Sequence, residues 1–396
     1  MTGAALSHGP ALKEQVATAV GTDRKALLAL SHRIHEVPEL GFEEVKASAW
    51  CAEALSEAGL NVEMGVCDLP TAFAATAGSG PFVLAICAEY DALPSVGHAC
   101  GHNVIASAAI GAGRALAPIA DDLGITIRVL GTPAEEGGGG KILMMERGAF
   151  DGVHAAMMVH PAPGELDRMP CLAVEHIDVV YHGKEAHASA FPERGVNAAD
   201  ALTVAQVAIG LLRQHADFGD QVHGIVTLGG AAPNVVPALT EAKYYIRART
   251  LEALATWTPR VRKCFEAGAV ATGATMEIVP QGPTYSEFDT DQPMADLYRR
   301  NAEVLGRAFP APGGRTMSGS TDMANVSLAI PSIHPMLGIE SLPAVNHQPE
   351  FTAAAAKAPA DKAVLDGATA MAWTVIDLAL SETERPRLTS TAYQRT

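Results

Sequence analysis

Positive charge is scarce in this sequence. Its 396 residues include 28 lysines and arginines against 44 aspartates and glutamates, which gives a formal net charge of −16. Such a chain repels phosphate backbones and anionic lipid headgroups, and no basic cluster offsets that repulsion locally. We therefore expect neither nucleic acid nor a membrane as a partner.

Paired cysteines and long apolar runs are also missing. The six cysteines are scattered without a C-x-x-C pair, which is typical of reduced thiols in a cytosolic protein. The N-terminal segment lacks the basic and apolar regions of a signal peptide. No window approaches the ~18 uninterrupted apolar residues of a membrane span. These absences predict a cytoplasmic location.

What the chain does contain is typical of a globular α/β protein. It is 48% hydrophobic and 18% charged, with 37 glycines and 25 prolines. Buried strands are predicted at 81–94 and 125–133, and each is followed by a glycine-containing loop and a helix. This alternation implies a mostly parallel sheet flanked by helices, with functional groups gathered beyond the carboxyl ends of the strands.

The middle of the chain has a different pattern. Its predicted elements run β-α-β-β-α-β, the split arrangement of a ferredoxin-like domain. We therefore predict a catalytic domain in two parts, 1–172 and 287–396, with a ferredoxin-like domain inserted at 173–286. The polar tail from about residue 382 has the composition of a disordered segment.

Two groups of polar residues follow the predicted strands. Cys100 and His102 lie in a tight glycine-containing loop, and a thiolate with an imidazole suits zinc and related ions. Glu135 and Glu136 follow the next strand; one such carboxylate can bind a metal while its neighbour takes a proton from water. Taken alone, Cys100 and His102 would be read as a buried cysteine beside a capping histidine, and Glu135 and Glu136 are equally compatible with a solvated acidic turn.

Two further histidines occupy comparable positions. His160 follows an apolar run, and His347 lies near the C-terminus in the segment NHQPEF. Each alone would be read as a hydrogen-bonded structural histidine. Potential ligands from several separate strand-end loops, however, converge on one crevice in an α/β framework, which favours a metal site. The run GGGGKI lacks the spacing of a phosphate-binding loop, so a nucleotide site is excluded.

Several motifs in this order resemble one family. They are EYDALP at 89–94, GHACGHN at 97–103, PAEEGGGG at 133–140, GKEAHAS at 183–189, GVNAADA at 195–201, PNVVP at 233–237, GSTDMANVS at 319–327 and NHQPEF at 346–351. The chain resembles the di-metal aminoacylase and carboxypeptidase family (peptidase family M-twenty), in the branch of hippurate and auxin-conjugate hydrolases. The resemblance covers nearly the whole chain.

The resemblance implies a centre of two divalent ions, with zinc expected and manganese or cobalt as alternatives. Its implied ligands are Cys100, His102, Glu136, His160 and His347. Glu135 is implied as the general base, and Asp91 and Asp322 as residues that orient the ligands.

The family resemblance also gives the inserted domain a role. It implies a lid that serves as the interface of a homodimer. His187 matches a lid histidine that helps to stabilise the oxyanion, and Asn234 and Arg247 match lid positions on the substrate side.

The function implied is hydrolysis of an amide bond in a small dipeptide or N-acyl amino acid. Asn103 stands where many members of the branch have aspartate. In this respect the chain resembles the sub-branch of p-aminobenzoyl-glutamate hydrolase and of dipeptidases that act on β-alanyl or aminoacyl conjugates of basic amino acids. An N-aroyl or N-acyl amino acid hydrolase of the p-aminobenzoyl-glutamate type is thus an alternative.

Two other classes of function compete with this interpretation. Cys100 activated by His102 would make a thiol hydrolase, which keeps its activity without metal. A metal-binding homologue without turnover is the other alternative, although such a protein has no need for Glu135 as a spare base beside the ligands.

Overall fold

The structure, a computed structural model, describes residues 4–310, 319–390 and 392–394. Contacts divide the chain into two compact units. The first unit extends up to Pro170 and resumes at Phe288, and the inserted unit is Cys171–Glu287. The sequence pattern had predicted the insertion at 173–286.

The first part of the first unit alternates strands and helices. Its elements are α1 (Ala4–Glu36), α2 (Val45–Glu57), β1 (Asn61–Met64), β2 (Phe73–Ala77), β3 (Phe82–Ala88), α3 (His102–Leu116), β4 (Ile125–Gly131), α4 (Gly140–Glu146), β5 (Ala155–Met157) and β6 (His160–Ala162).

The inserted unit follows, and then the chain returns to the first unit. The inserted elements are β7 (Ala173–His182), α5 (Ala198–Leu212), β8 (Gln221–Leu228), β9 (Leu239–Ala248), α6 (Leu251–Thr272) and β10 (Thr275–Pro280). The last elements of the first unit are α7 (Gln292–Val304), α8 (Met323–Ala329), β11 (Ser332–Ile333), β12 (Met336–Gly338), α9 (Pro349–Ala354), α10 (Ala358–Leu380) and α11 (Glu384–Thr389).

The main sheet of the first unit has the strand order β1-β2-β4-β3-β5-β11. The pairs β4–β3, β3–β5 and β5–β11 are parallel, whereas β1 and β2 form an antiparallel edge. Strands β12 and β6 form a separate two-stranded parallel sheet. The predicted mostly parallel sheet flanked by helices is confirmed.

Helix α3 is the central helix of the first unit. Every residue in it except Arg114 is buried, as expected of a helix that is apolar on all sides. Gly113 lies so close to β4 that a Cβ atom there would be 2.5 Å from Cγ2 of Val129. Small residues thus let α3 pack directly on the sheet, and His102 is its first residue.

The sheet of the inserted unit has the order β10-β7-β9-β8, and every neighbouring pair is antiparallel. Strands β7 and β8, which helix α5 joins, are separated by β9. This is the split β-α-β arrangement of a ferredoxin-like fold, as predicted. Its core lies between the sheet and helices α5 and α6, around Tyr181, Trp257 and Phe265.

The prediction of a disordered tail from about residue 382 was wrong for most of that segment. Helix α11 forms there, and Leu388 is fully buried. Arg385 donates hydrogen bonds to the backbone carbonyls of Leu123, Gly124 and Ala379. The polar composition gave no sign of these contacts, since the carbonyl groups of Leu123 and Gly124 lie more than 260 residues away in the sequence. Residues 391, 395 and 396 lie outside the described residues.

One helix, α10, has the length and composition of a membrane span. In its most apolar window, 72% of the residues are buried inside the protein. The helix packs against α1, α3 and α7. Central helices of globular proteins meet the same test.

We expect Gly113→Ala to destabilise the first unit by about 1–3 kcal/mol, because the added methyl group overpacks a buried contact with a rigid β-branched side chain. Gly21→Ala in α1 is the matched control. Nothing lies within 4 Å of a Cβ atom at that position, so the substitution should stabilise the helix by about 0.5–1 kcal/mol. Urea denaturation measures both; equal effects would contradict the packing argument.

Candidate metal centre

The carboxyl ends of the parallel strands bring acidic side chains and histidines to one edge of the sheet. Glu89 and Asp91 directly follow β3, and Glu135 follows β4 by a few residues. His160 begins β6, just past the end of β5. Because β4, β3 and β5 run parallel, these residues share the same edge.

The loop before α3 adds a thiol and an imidazole. Gly101 separates Cys100 from His102 and has a φ of 73°, a conformation that favours glycine. A Cβ atom there would lie 2.5 Å from Cγ of Pro161. The missing side chain therefore lets the loop approach the strand that begins with His160.

The predicted ligands form two groups that share one residue. The ligand atoms of Cys100, His102 and His160 lie within 4.8 Å of one another, and so do those of Cys100, Glu136 and His347. His347 reaches its group from the loop before α9, where its backbone N–H donates to the carbonyl of Ala99 at 3.0 Å. One thiolate between two ligand groups is an arrangement suited to a pair of ions.

The state of the donor atoms fits divalent ions. Nδ1 of His102 donates to Oδ1 of Asp91 at 3.1 Å, and Nδ1 of His160 donates to the carbonyl of Pro161 at 2.8 Å. Within the described part of the chain, Nε2 of His102 and Oε1 of Glu136 are buried without a hydrogen-bond partner. Buried polar atoms without partners are rare, and a bound ion would satisfy them.

Asp91 fixes two of these groups at once. Its second oxygen, Oδ2, accepts a hydrogen bond from the backbone N–H of Glu136 at 3.0 Å. The carboxylate thus orients the ring of His102 and holds the loop that carries Glu136.

Burial dominates the electrostatics of the cluster. It raises the pKa of Glu135 well above its usual range, and the carboxylates of Glu89 and Glu136 add to the shift. Burial also raises the pKa of the Cys100 thiol, again with Glu136 contributing. Nearby cations reverse both effects, because they favour the charged forms of these groups.

The histidines respond in opposite directions. Burial lowers the pKa of His160 to about 4, so its ring is neutral and ready to act as a ligand. Burial opposes the charge on His102 too, yet the carboxylate of Asp91 raises its pKa to about 10. In the metal-free protein a proton therefore sits on Nε2 of His102, in the position that a cation would take.

Sequence reasoning missed Glu44, which positions the loop of Glu135 and Glu136. This fully buried carboxylate accepts hydrogen bonds from the backbone N–H of Ala134 and from Oγ1 of Thr71, both at 2.8 Å. Burial raises its pKa to about 7. An acidic residue next to the start of a helix gave no signal of this role in the sequence.

Asp322 differs from its predicted role. It contacts Lys141, whose Nζ lies 2.6 Å from Oδ1, rather than orienting a ligand directly. Lys141 contacts Glu89, and Glu89 lies 3.6 Å from Nε2 of His102. Asp322 therefore reaches the ligands through two intervening side chains, both of which the sequence analysis missed.

Asn103, the residue that marks the sub-branch, faces the core. Its Nδ2 donates to Oγ of Ser31 and to the carbonyl of Ala355, both at 2.9 Å. An uncharged amide fits there because both partners are neutral acceptors. The asparagine thus ties the start of α3 to α1 and to the segment after α9.

Three of the predicted site residues lie in the inserted unit. Nδ1 of exposed His187 accepts hydrogen bonds from the backbone N–H groups of Ser189 and Ala190, so a neutral ring carries its proton on Nε2. Asn234 lies beside it, since its carbonyl accepts from the N–H of Ala188. Arg247 is on β9, where its Nε donates to Nε2 of His223 at 3.1 Å.

This combination of fold and ligand groups defines a class of enzyme. Two neighbouring divalent cations polarise a carbonyl and activate water, which is the chemistry of a metal-dependent hydrolase. Residues 85–368 match the model of Peptidase family M20/M25/M40, and the chain belongs to that family. The resemblance in the motifs is thereby confirmed, and the protein is a metal-dependent amidohydrolase.

Known relatives agree with this assignment. The chain is 37% identical over 386 residues to the Xaa-Arg dipeptidase of Mus musculus, covering 93% of this chain and 89% of the relative. It is 35% identical over 280 residues to one of the subunits of the p-aminobenzoyl-glutamate hydrolase of Escherichia coli, covering 65% and 58% of the two chains. A dinuclear metal-binding M20 peptidase from Bacillus subtilis has a similar fold, with a TM-score of 0.64 and 22% identity over 91% of this chain and 99% of that one.

We expect Asp91→Asn to weaken metal binding by about 10- to 100-fold, because His102 loses the carboxylate that fixes its ring. Asp121→Asn is the control, since Asp121 is an exposed carboxylate that accepts from the N–H of Ser79 away from the cluster. Titration of metal-free protein with Zn²⁺ against a chromophoric chelator measures both affinities. Equal affinities in Asp91→Asn and the control would refute the orienting role.

Proposed function

We propose that this amidohydrolase is a dipeptidase whose substrates carry a basic residue at the carboxyl end. The proposed hydrolysis rests on one observation. Cys100 belongs to both groups of proposed ligands, whereas Glu135 lies next to these groups and belongs to neither. In this proposal Cys100, His102 and His160 would hold one ion, and Cys100, Glu136 and His347 would hold the other.

Glu135 is the proposed general base. When bound, the two ions would polarise the scissile carbonyl and make a water molecule more acidic. The carboxylate of Glu135 accepts the proton of the attacking water and passes it to the leaving nitrogen. Its Oε2 lies 4.0 Å from Nε2 of His102, which places the base next to the ligands.

The electrostatics oppose the thiol mechanism. Burial and Glu136 raise the pKa of Cys100 well above its usual range, so without a cation the sulfur stays protonated. A protonated thiol is a poor nucleophile. In addition, Nδ1 of His102 is engaged by Asp91, and within the described residues Nε2 forms no hydrogen bond with the sulfur.

The substrate class rests on similarity over nearly the full length to an Xaa-Arg dipeptidase. The formal net charge of −16 supports it, because a negative surface attracts a cationic side chain and repels an anionic one. A second candidate is hydrolysis of p-aminobenzoyl-glutamate, supported by the relative from Escherichia coli. That substrate is anionic, so charge separates the two candidates.

Several finer features remain predictions. Zinc is the proposed metal, with manganese or cobalt as alternatives. A homodimer, a cytoplasmic location and the roles of His187, Asn234 and Arg247 toward the substrate rest on the sequence arguments alone.

Glu135→Gln should lower kcat by about 10²- to 10⁴-fold while the metal content stays unchanged, because the amide cannot accept a proton and Glu135 is not a proposed ligand. The control is Glu146→Gln, an exposed glutamate on α4. Release of amino acid from dipeptides, acyl amino acids and p-aminobenzoyl-glutamate is followed for both variants. A wild-type kcat in Glu135→Gln would show that Glu135 is not the general base. Cleavage of p-aminobenzoyl-glutamate alone among these substrates would select the second candidate function.

Removal of metal with EDTA should abolish activity, and added Zn²⁺, Mn²⁺ or Co²⁺ should restore it, since the proposed chemistry needs both ions. Alkylation of the chelated protein provides the complementary test. A chelated protein that keeps full activity and then loses it on alkylation would identify the thiol mechanism instead.

A further inference from the structure

Lys141 is a lysine with no exposed surface beside the ligand groups. Its Nζ lies 2.5 Å from Oε1 of Glu89 and 2.6 Å from Oδ1 of Asp322. Its backbone N–H also donates to Oδ2 of Asp322 at 2.8 Å. Lysine is almost never fully buried unless it is paired, and the burial of such charges costs free energy. The proposed reaction assigns this ammonium group no role.

Glu89 connects Lys141 to the metal ligands. While Oε1 contacts the ammonium group, Oε2 lies 3.6 Å from Nε2 of His102. Glu89, His102 and Glu135 themselves form a group whose ligand atoms lie within 4.8 Å of one another. Two ligands of a tetrahedral zinc ion, each about 2.1 Å from it, are about 3.4 Å apart. Glu89 is therefore close enough to compete for an ion bound at His102.

A catalytic metal site works only if a coordination position stays open for water or substrate. A carboxylate at the distance of Glu89 would fill that position unless another cation held it. The ammonium group of Lys141 is that cation. It donates a hydrogen bond to Oδ1 of Asp322, while the backbone N–H of the same lysine donates to Oδ2. The surrounding carboxylates keep Lys141 charged, since they raise its pKa despite its burial.

We propose that Lys141 is a positioning residue that holds Glu89 as its ion-pair partner and so prevents Glu89 from binding the ion at His102. The inference rests on the proposed function, because it assumes the ligand group of Cys100, His102 and His160. Lys141 thus affects how many ligands the ion has, and not whether the ion is bound.

The test uses Co²⁺, whose visible absorption weakens when coordination rises above four. Metal-free wild type, Lys141→Met, Lys141→Met/Glu89→Gln and Lys141→Met/Asp322→Asn are titrated with Co²⁺, and kcat and KM are then measured. Lys13→Met is the control, since Lys13 pairs with Asp377 and Asn301 on other helices.

In Lys141→Met we expect Co²⁺ to bind at least as tightly as in wild type, with a weaker visible band and a kcat lower by about 10- to 100-fold. Glu89→Gln in that background should restore the wild-type band and most of kcat. Asp322→Asn should not, although it removes the same charge. Lys13→Met should match wild type.

Each other result would overturn the proposal. Equal rescue by Glu89→Gln and Asp322→Asn would mean that Lys141 only balances charge. An unchanged band in Lys141→Met would mean that Glu89 does not bind the ion. A wild-type chain that bound no Co²⁺ would refute the proposed metal centre, and this inference with it.

The single variant Glu89→Gln keeps the proposal testable if Lys141→Met fails to fold. With Lys141 present, Glu89 is not a ligand, so Glu89→Gln should keep the wild-type band and Co²⁺ affinity. A weaker affinity or an altered band would show that Glu89 binds the ion in the wild-type protein, contrary to the proposal.

Discussion

Mutual repulsion between buried carboxylates is the constraint on which the catalytic unit depends. Acidic side chains lie together at the carboxyl edge of the sheet: Glu89, Asp91, Glu135, Glu136 and Asp322. Burial raises the pKa of Glu135 and of Asp322, and the neighbouring carboxylate of Glu89 adds to both shifts. Divalent ions together with Lys141 supply the positive charge that makes this arrangement tolerable, so metal binding and the stability of this edge are coupled.

The scaffold holds these groups through contacts that each fix more than one element. Asp91 binds both the ring of His102 and the backbone of Glu136, and Glu44 binds both Thr71 and Ala134. Asp91 thus links the start of α3 to the loop of Glu136, and Glu44 links the segment of Thr71 to the loop of Glu135. Helix α3, which begins at His102, is buried along its whole length except at Arg114.

The inserted unit has its own core and its own four-stranded antiparallel sheet. It carries a second, smaller group of polar side chains. The ring of His187 is oriented by backbone N–H groups, whereas Arg247 contacts a histidine on the neighbouring strand. The backbone N–H groups of Ser189 and Ala190 both donate to Nδ1 of His187, so the turn itself sets the orientation of the ring.

The sequence by itself determined the alternation of strands and helices, the inserted ferredoxin-like pattern and the ligand types, because periodicity and short motifs are local properties. Tertiary structure decided which groups meet. The contact of Glu44 with Ala134 spans 90 residues and that of Lys141 with Asp322 spans 181, so neither leaves a local pattern. Cys100 joins two ligand groups and Lys141 faces Glu89 only because parallel strand ends converge, and that convergence depends on the packed sheet.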